Sequence, residues 1–491
     1  MVIYMNKKLT KIFCIILCCI FSFGAFAGCS DSSDEDKDKG PAPTPIPEPE
    51  HIISQITLSG YKFDENDTRL DDFIKEFNLD YPGVEVTVQH DDVSAEAYFN
   101  SLDDRLSSDV DAEGVETEPT IGSVFLIDNE RMAKYAAEGK LIPLDKYIGE
   151  LLNYDTYEKI NPAMDLLPAA YDAGIYGDHL YMAGIEYYHD FVFLNYSLIE
   201  KAGEGFPADD WSWDDLIAIA EKVKAVDSSI TPIAMDYNDY AIWGAFARSY
   251  GADIYEHIGD ENTEKTLNLT DPDVIRGLED LAELVDPANG LVECVDASKL
   301  SAEELSKYAF VIADHEDVSV WSEYLTSEEC AFAWDYVHFP RWNDDAKLDE
   351  AGKSLYYQSI GTTVYGFAVY NYGESEEYNE EYYKACATLA LYAMVSDATV
   401  NYTGEGESVP ANKVTNAMKF WREYPVDGKN SSVFSHFAEN ADFADNLSSF
   451  MPVTSEKEIN VGAAIDAYIN DGIPFTDSLQ KIQDLANAGW I

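Results

Sequence analysis

The sequence predicts a mixed α/β protein whose folded part is divided into two lobes. Three observations predict it: a β-α-β unit where folded structure begins, the same alternation further along, and roughly 440 residues beyond position 50, more than one hydrophobic core usually organises. The first strand is the β-rich run Ile52 to Leu58. Asp67 and Thr68, both capping types, then precede Leu70, Phe73, Ile74 and Phe77, whose i, i+3, i+4, i+7 spacing places four apolar side chains on one helical face. Tyr81-Pro82-Gly83 turns the chain, and Val84, Val86 and Val88 alternate with polar residues as a strand with one covered face must. A helix between two strands leaves them parallel, because only a crossover connection joins them that way. Further strands are predicted near 121–127, 191–196 and 364–370, and helices at 213–226, 271–285 and 380–395. Ser212 can cap the first of these helices, whose third residue is Asp215, and Asp271-Pro272 sets a capping carboxylate before the helical position that tolerates proline. No fixed-period repeat is present, which argues against a solenoid or propeller.

The amino-terminal 50 residues read differently. Lys7, Lys8 and Lys11 precede an apolar run from Ile12 to Phe26, the pattern of a secretory signal. Ala27 and Gly28 directly before Cys29 resemble the lipobox of bacterial lipoproteins, although Phe26 stands nearby where the usual pattern has Leu. That resemblance implies removal of residues 1–28 and lipidation of Cys29, and two acyl chains suffice to hold a protein at a bilayer. Residues 29–50, acidic and then Pro-rich, form an extended spacer. Loss of residues 1–28 leaves 29 Lys plus Arg against 92 Asp plus Glu, so nucleic acid is excluded as a partner for want of any basic stripe. Most of that charge is solvated surface. Only Cys294, Cys330 and Cys386 remain in the folded part, too few for a disulfide-built fold and without Cys/His metal spacing.

Several strings occur in an order that resembles the family 1 extracellular solute-binding proteins of ABC importers, the maltose-binding-protein-like sugar receptors. They are LDDFIKEFNLDYPGVEVTV after the first strand, the segment Tyr135 to Asp145, IYGDHLYMAG, FVFLNYSLIEKAG, WSWDDLIAIAEKVKA, LNLTDPDVIRGLEDLAELV, FAWDYVHFPR and Val409 to Lys413. The likeness covers residues 52 to 415 in patches. Met182-Ala183-Gly184 departs from the family's "GLP", which leaves the first crossover between lobes open there. The resemblance implies a type II periplasmic-binding-protein-like fold: residues 51–184 with 316–396 as one lobe, 185–315 with 397–491 as the other, hinged around a ligand cleft. It also implies a sugar ligand, ABC permease subunits as partners, attachment to the outer face of the membrane through Cys29, a monomer, and no cofactor, metal or catalysis.

Sugars present hydroxyl edges and apolar faces, so aromatic platforms combined with carboxylates and amides are the expected contacts. By match to the family, Tyr61, Phe63, Asp128, Asn129 and Glu130 follow strands of the first lobe, and Glu186, Tyr187 and Tyr188, with His189 and Asp190, stand at the mouth of the second. Trp243, Trp321, Gly361 and Thr362 complete the candidates. Two alternatives stay open at particular residues: Asp128 can cap the helix carrying Met132, and Trp243 beside Ile242 and Phe246 can be core. Trp213, at a helix start, reads as packing. Residues 109–120 superficially resemble a calcium loop, but the twelfth is Thr120 rather than the bidentate Glu. A polyamine or peptide receptor of the same fold, a surface glycan-adhesion module, and a glycoside hydrolase using two of the many carboxylates are the competing functions.

Overall fold

Two five-stranded sheets organise the chain in the computed structural model, which describes residues 53–488 apart from 63–66, 92–94, 107–118, 150–151, 154–157, 253, 259–263, 342–361, 403–408, 419–427 and 435–460. The leader, Cys29, the spacer and most of the calcium-like loop therefore lie outside the described residues, as do Phe63 and Gly361. The main elements of the first half are β1 (Ile53–Tyr61), α1 (Arg69–Asp80), β2 (Val84–Asp91), α2 (Ala95–Leu106), β3 (Val124–Asp128), α3 (Asn129–Ala137), β4 (Ala183–His189), β5 (Phe191–Asn195), α4 (Trp213–Val226), β6 (Ile233–Ala234) and α5 (Tyr240–Ala247). The second half supplies α6 (Pro272–Val285), β7 (Val292–Glu293), β8 (Phe310–Ala313), α7 (His315–Leu325), β9 (Trp334–Val337), β10 (Thr362–Val369), α8 (Glu380–Tyr392), α9 (Ser396–Tyr402), α10 (Val461–Asp471) and α11 (Phe475–Ala488).

The sheets share one grammar. The first has the order β2-β1-β3-β10-β4, with β1 parallel to β2 and β3, and β10 antiparallel to both its neighbours. The second has the order β7-β6-β8-β5-β9, with β6 parallel to β7 and β8, and β5 antiparallel to β8 and β9. Period-2 alternation explains the layers of the second sheet. Val192, Leu194, Phe310, Ile312 and Val337 enter one core with α4, α5, α6, α10 and α11, whereas Phe191, Phe193, Val311, Trp334 and Tyr336 enter the aromatic core that continues into the first sheet. Helices α5 and α6 approach so closely that a Cβ on Gly277 would lie 1.9 Å from the Phe246 carbonyl oxygen, which reserves that position for glycine.

Local signals act as their chemistry predicts. Ser212 and Asp215 form a reciprocal capping box at α4, and Asp271 accepts from the Asp273 amide ahead of Pro272. Ser212→Ala is expected to cost about 1 kcal/mol, read as a lowered urea midpoint with unchanged slope. At α1 the expected Thr68 cap makes no side-chain cap bond; Asp67 accepts from the Arg69 amide and Nε instead.

The lobe boundaries differ from those expected. Strand β4 runs seven buried residues from Ala183 to His189, all within the first sheet, so the first crossover falls at Asp190 rather than after 184. Strand β9 pairs with β5, which places residues 334–337 in the second sheet and not the first. Helix α9 packs on α1, and the segment 409–412 hydrogen-bonds to β4 and Leu167, so the first lobe also extends past 396. In each case backbone pairing of an apolar run decides the assignment. The chain thus crosses between sheets at Asp190, between β9 and β10, and between α9 and α10.

Candidate functional site

A cavity of about 630 Å³ opens where the carboxyl ends of parallel strands from both sheets meet, the place where open α/β sheets bind ligands. A second cavity of about 690 Å³ lies at the amino end of β3, lined by Gly122, Ser123, Tyr372 and Tyr378. It lacks contributions from the second sheet, so the first is the stronger candidate.

Four of its walls are built alike: a strand ends, an aspartate follows within three residues, and a helix or turn begins. Asp128 ends β3 and accepts from the Arg131 amide; Asp314 follows β8 and accepts from the Asp317 amide in a capping box. Asp296 follows β7 and accepts from the Ser298 amide, and Asp236 follows β6 and accepts from the Asn238 amide. Each carboxylate satisfies orphan amides at a helix or turn start and still borders the cavity. Asp190, Asp239, Glu316 and Asp317 add four more carboxylates, against two cations, Arg131 and Lys299. Arg131 is engaged by Asp128 and by Asn100. Phe99, Tyr365 and Trp321 supply aromatic surface, the Trp321 indole donating to the Leu300 carbonyl at 3.1 Å.

Crowding of like charge marks the electrostatics. Recession into the cavity, reinforced by Asp314 and Glu186 and partly offset by Arg69, pushes Glu316 up to about 8. Asp314 is pushed up to about 6 by the same desolvation, with Asp239 and Asp296 adding to it and its backbone hydrogen bonds opposing. Asp190 and Asp317 stand well above the ordinary carboxyl range, desolvation first and neighbouring carboxylates second.

Of the candidates read from sequence, Asp128 and Trp321 border this cavity, as does Thr363 beside Thr362. Asp128 is both things at once, a helix cap and a wall residue. Asn129 is buried and accepts from the Val364 amide at 3.0 Å, pinning β10 beside β3. The Glu130 and Thr362 side chains lie outside the described residues. Tyr61, Tyr187, Tyr188 and Trp243 do not line the cavity and each is 3% exposed or less; Tyr61, Tyr187 and Trp243 pack in a core, and the Tyr188 ring lies 5.3 Å from that of Tyr365 in the cavity wall. Tyr187 donates to the Phe434 carbonyl, and His189 lies 2.9 Å from the Val433 carbonyl, both as structural ties.

Glu186 is wholly buried as well. Tyr188 donates to its Oε2 at 3.2 Å and Tyr402 to its Oε1 at 3.4 Å, while the Arg69 guanidinium lies 3.8 Å from Oε2. Arg69 also forks onto Asp67 and stacks over the Tyr402 ring. This polar knot ties α1, β4 and α9 together beneath the cavity.

Missed by sequence reasoning were Asp236, Asp239, Asp296, Asp314, Glu316 and Asp317. The signal was present: VFLID, IAMD, VECVD and FVIAD are four strand runs that each end in aspartate. The three thiols of the folded part are free, Cys294 exposed and near Asp236. Among the described residues no helix is long and apolar enough to cross a membrane.

Residues 63–283 match the family model of the bacterial extracellular solute-binding protein. No curated protein sequence matches significantly. Among solved structures, UgpB from Mycobacterium tuberculosis in complex with glycerophosphocholine aligns with a TM-score of 0.63 at 15% identity, covering 88% of this chain and 97% of that one. The cyclic alpha-maltosyl-1,6-maltose binding protein from Arthrobacter globiformis gives 0.62 at 13% identity, covering 89% and 99%. Maltodextrin binding protein MalE1 from L. casei BL23 gives 0.59 at 15% identity, also covering 89% and 99%. In residues 63–283 the chain is thus similar to the bacterial extracellular solute-binding proteins, and its two-sheet fold is the one these solved structures share.

Proposed function

We propose that the chain is the lipid-anchored, outward-facing receptor of an ABC importer, which captures a mono- or oligosaccharide by closing two hinged lobes and passes it to permease subunits. The observation that carries this is the cavity itself: walls from both sheets converge on it, and Asp190, the residue joining the sheets at the first crossover, borders it. A solute touching both walls binds the closed arrangement better than the open one, and so shifts the population toward closure. The Arthrobacter globiformis and L. casei proteins are by name receptors for a cyclic maltosyl-maltose and for maltodextrin, which supports the saccharide class. The role is binding, without chemistry of its own, and the anchor is Cys29 at the outer face of the membrane.

A thermal-shift panel of neutral and amino-substituted saccharides tests the reading. A ligand at 100 times its dissociation constant stabilises the native state by about 2.7 kcal/mol, enough to read. At least one saccharide is expected to raise Tm; a panel in which none does contradicts the saccharide assignment.

A further inference from the structure

The cavity is far more acidic than hydroxyl recognition requires. Hydroxyl groups are satisfied by a few carboxylates or amides, each accepting one or two hydrogen bonds. Here the strand-end aspartates Asp128, Asp236, Asp296 and Asp314 converge from both sheets, joined by Asp190 at the crossover and Glu316 on the first turn of α7. A neutral solute would leave their mutual repulsion in place and add further desolvation.

A second observation concerns which of these groups already have partners. The four strand-end aspartates spend lone pairs on backbone amides. Glu316 and Asp190 do not: both are recessed in the cavity wall, and neither carboxylate has a hydrogen-bond or ion-pair partner among the described residues. Both residues are half-buried, and a carboxylate partly withdrawn from water without a partner is stabilised when an incoming donor carries positive charge. Arg131 does not serve, since its guanidinium is held by Asp128 and Asn100. Nor are the carboxylates gathered around one point: among the described residues no group of three is placed to hold a metal ion. Spread charge with aromatic surface from Phe99, Tyr365 and Trp321 between suits an extended organic cation with apolar C–H faces.

We infer that the solute of this cleft carries protonated amines, bound by Glu316 and Asp190 in particular. The inference rests on the cleft being the solute site, and makes positive charge, whether or not on a saccharide, the feature it recognises. Two sources share that chemistry, an amino sugar with free amines and a linear polyamine.

Isothermal titration calorimetry on the chain distinguishes them, with four probes: the β-1,4-linked disaccharide of glucosamine, its di-N-acetylated form, spermidine and maltose. The expected result is that one amine probe binds at least about tenfold more tightly than both neutral sugars, the size of one good charge-assisted contact. Glu316→Gln and Asp190→Asn should each weaken that amine by about tenfold, while circular dichroism and an unchanged or raised Tm show the variants folded. Tightest binding of the glucosamine disaccharide supports an amino sugar, and of spermidine a polyamine. Equal or tighter binding of the N-acetylated disaccharide or maltose overturns the inference yet leaves the saccharide receptor intact. Amine binding indifferent to both substitutions overturns it too, by moving the cation out of the cleft.

Discussion

Glu186→Ala is expected to cost about 3–5 kcal/mol of folding stability, read as a lowered urea midpoint, with Glu186→Gln costing distinctly less. The carboxylate is 0% exposed and accepts from the Tyr188 and Tyr402 hydroxyls, with Arg69 at 3.8 Å. Alanine removes one acidic neighbour of a buried guanidinium and takes the acceptor from two buried phenols. An orphaned buried donor costs its full desolvation, which exceeds the net worth of the bond it lost. Glutamine keeps a carbonyl acceptor and the volume, so one phenol stays satisfied. This outcome also separates knot from ligand contact: a residue that touched solute would lose affinity with little change in stability.

Stability without solute is expected to fall as pH rises from about 5.5 to 8, by on the order of 2 kcal/mol after allowance for the open, screened cavity. The sign follows from the raised carboxyls. Glu316, up to about 8, and Asp314, up to about 6, hold protons in the folded chain at pH values where the unfolded chain has released them. Their contribution is therefore fully present below the ordinary carboxyl range and lost as pH passes through the folded values. The groups facing Glu316 are Asp314, Glu186 and, in opposition, Arg69; those facing Asp314 are Asp239 and Asp296; Asp317 faces Asp314, Asp190 and Glu316. Urea midpoints across this range check it, and Glu316→Gln should flatten the slope. A midpoint that climbs with pH would mean the cleft carboxylates are already compensated.

How much was legible in the sequence follows from which forces are local. Helix α4 was readable to the residue, because Ser212, Asp215 and the apolar face of Leu216, Ile219, Ala220 and Val223 all act within a few turns. The β-α-β start was readable for the same reason. The crossover at Asp190 was not, since one polar residue between two apolar runs looks like a bulge until β10 claims one run and β8 the other. Burial of the aromatics was not legible: Tyr187, Tyr188 and Trp243 have the right chemistry for a sugar and are 3% exposed or less in the structure. Of the strand-end aspartates only Asp128 was read, as a cap, and only the convergence of two sheets makes the four one acidic wall.

Hydrogen exchange with and without the solute that gives the largest thermal shift tests the central claim directly. The account predicts new protection in peptides from both sheets at once, those carrying Asp128, Asp236, Asp296, Asp314 and the Asp190 junction, at saturating solute. Protection confined to one sheet, or to the cavity near Tyr372 and Tyr378, would contradict a solute held between the two lobes.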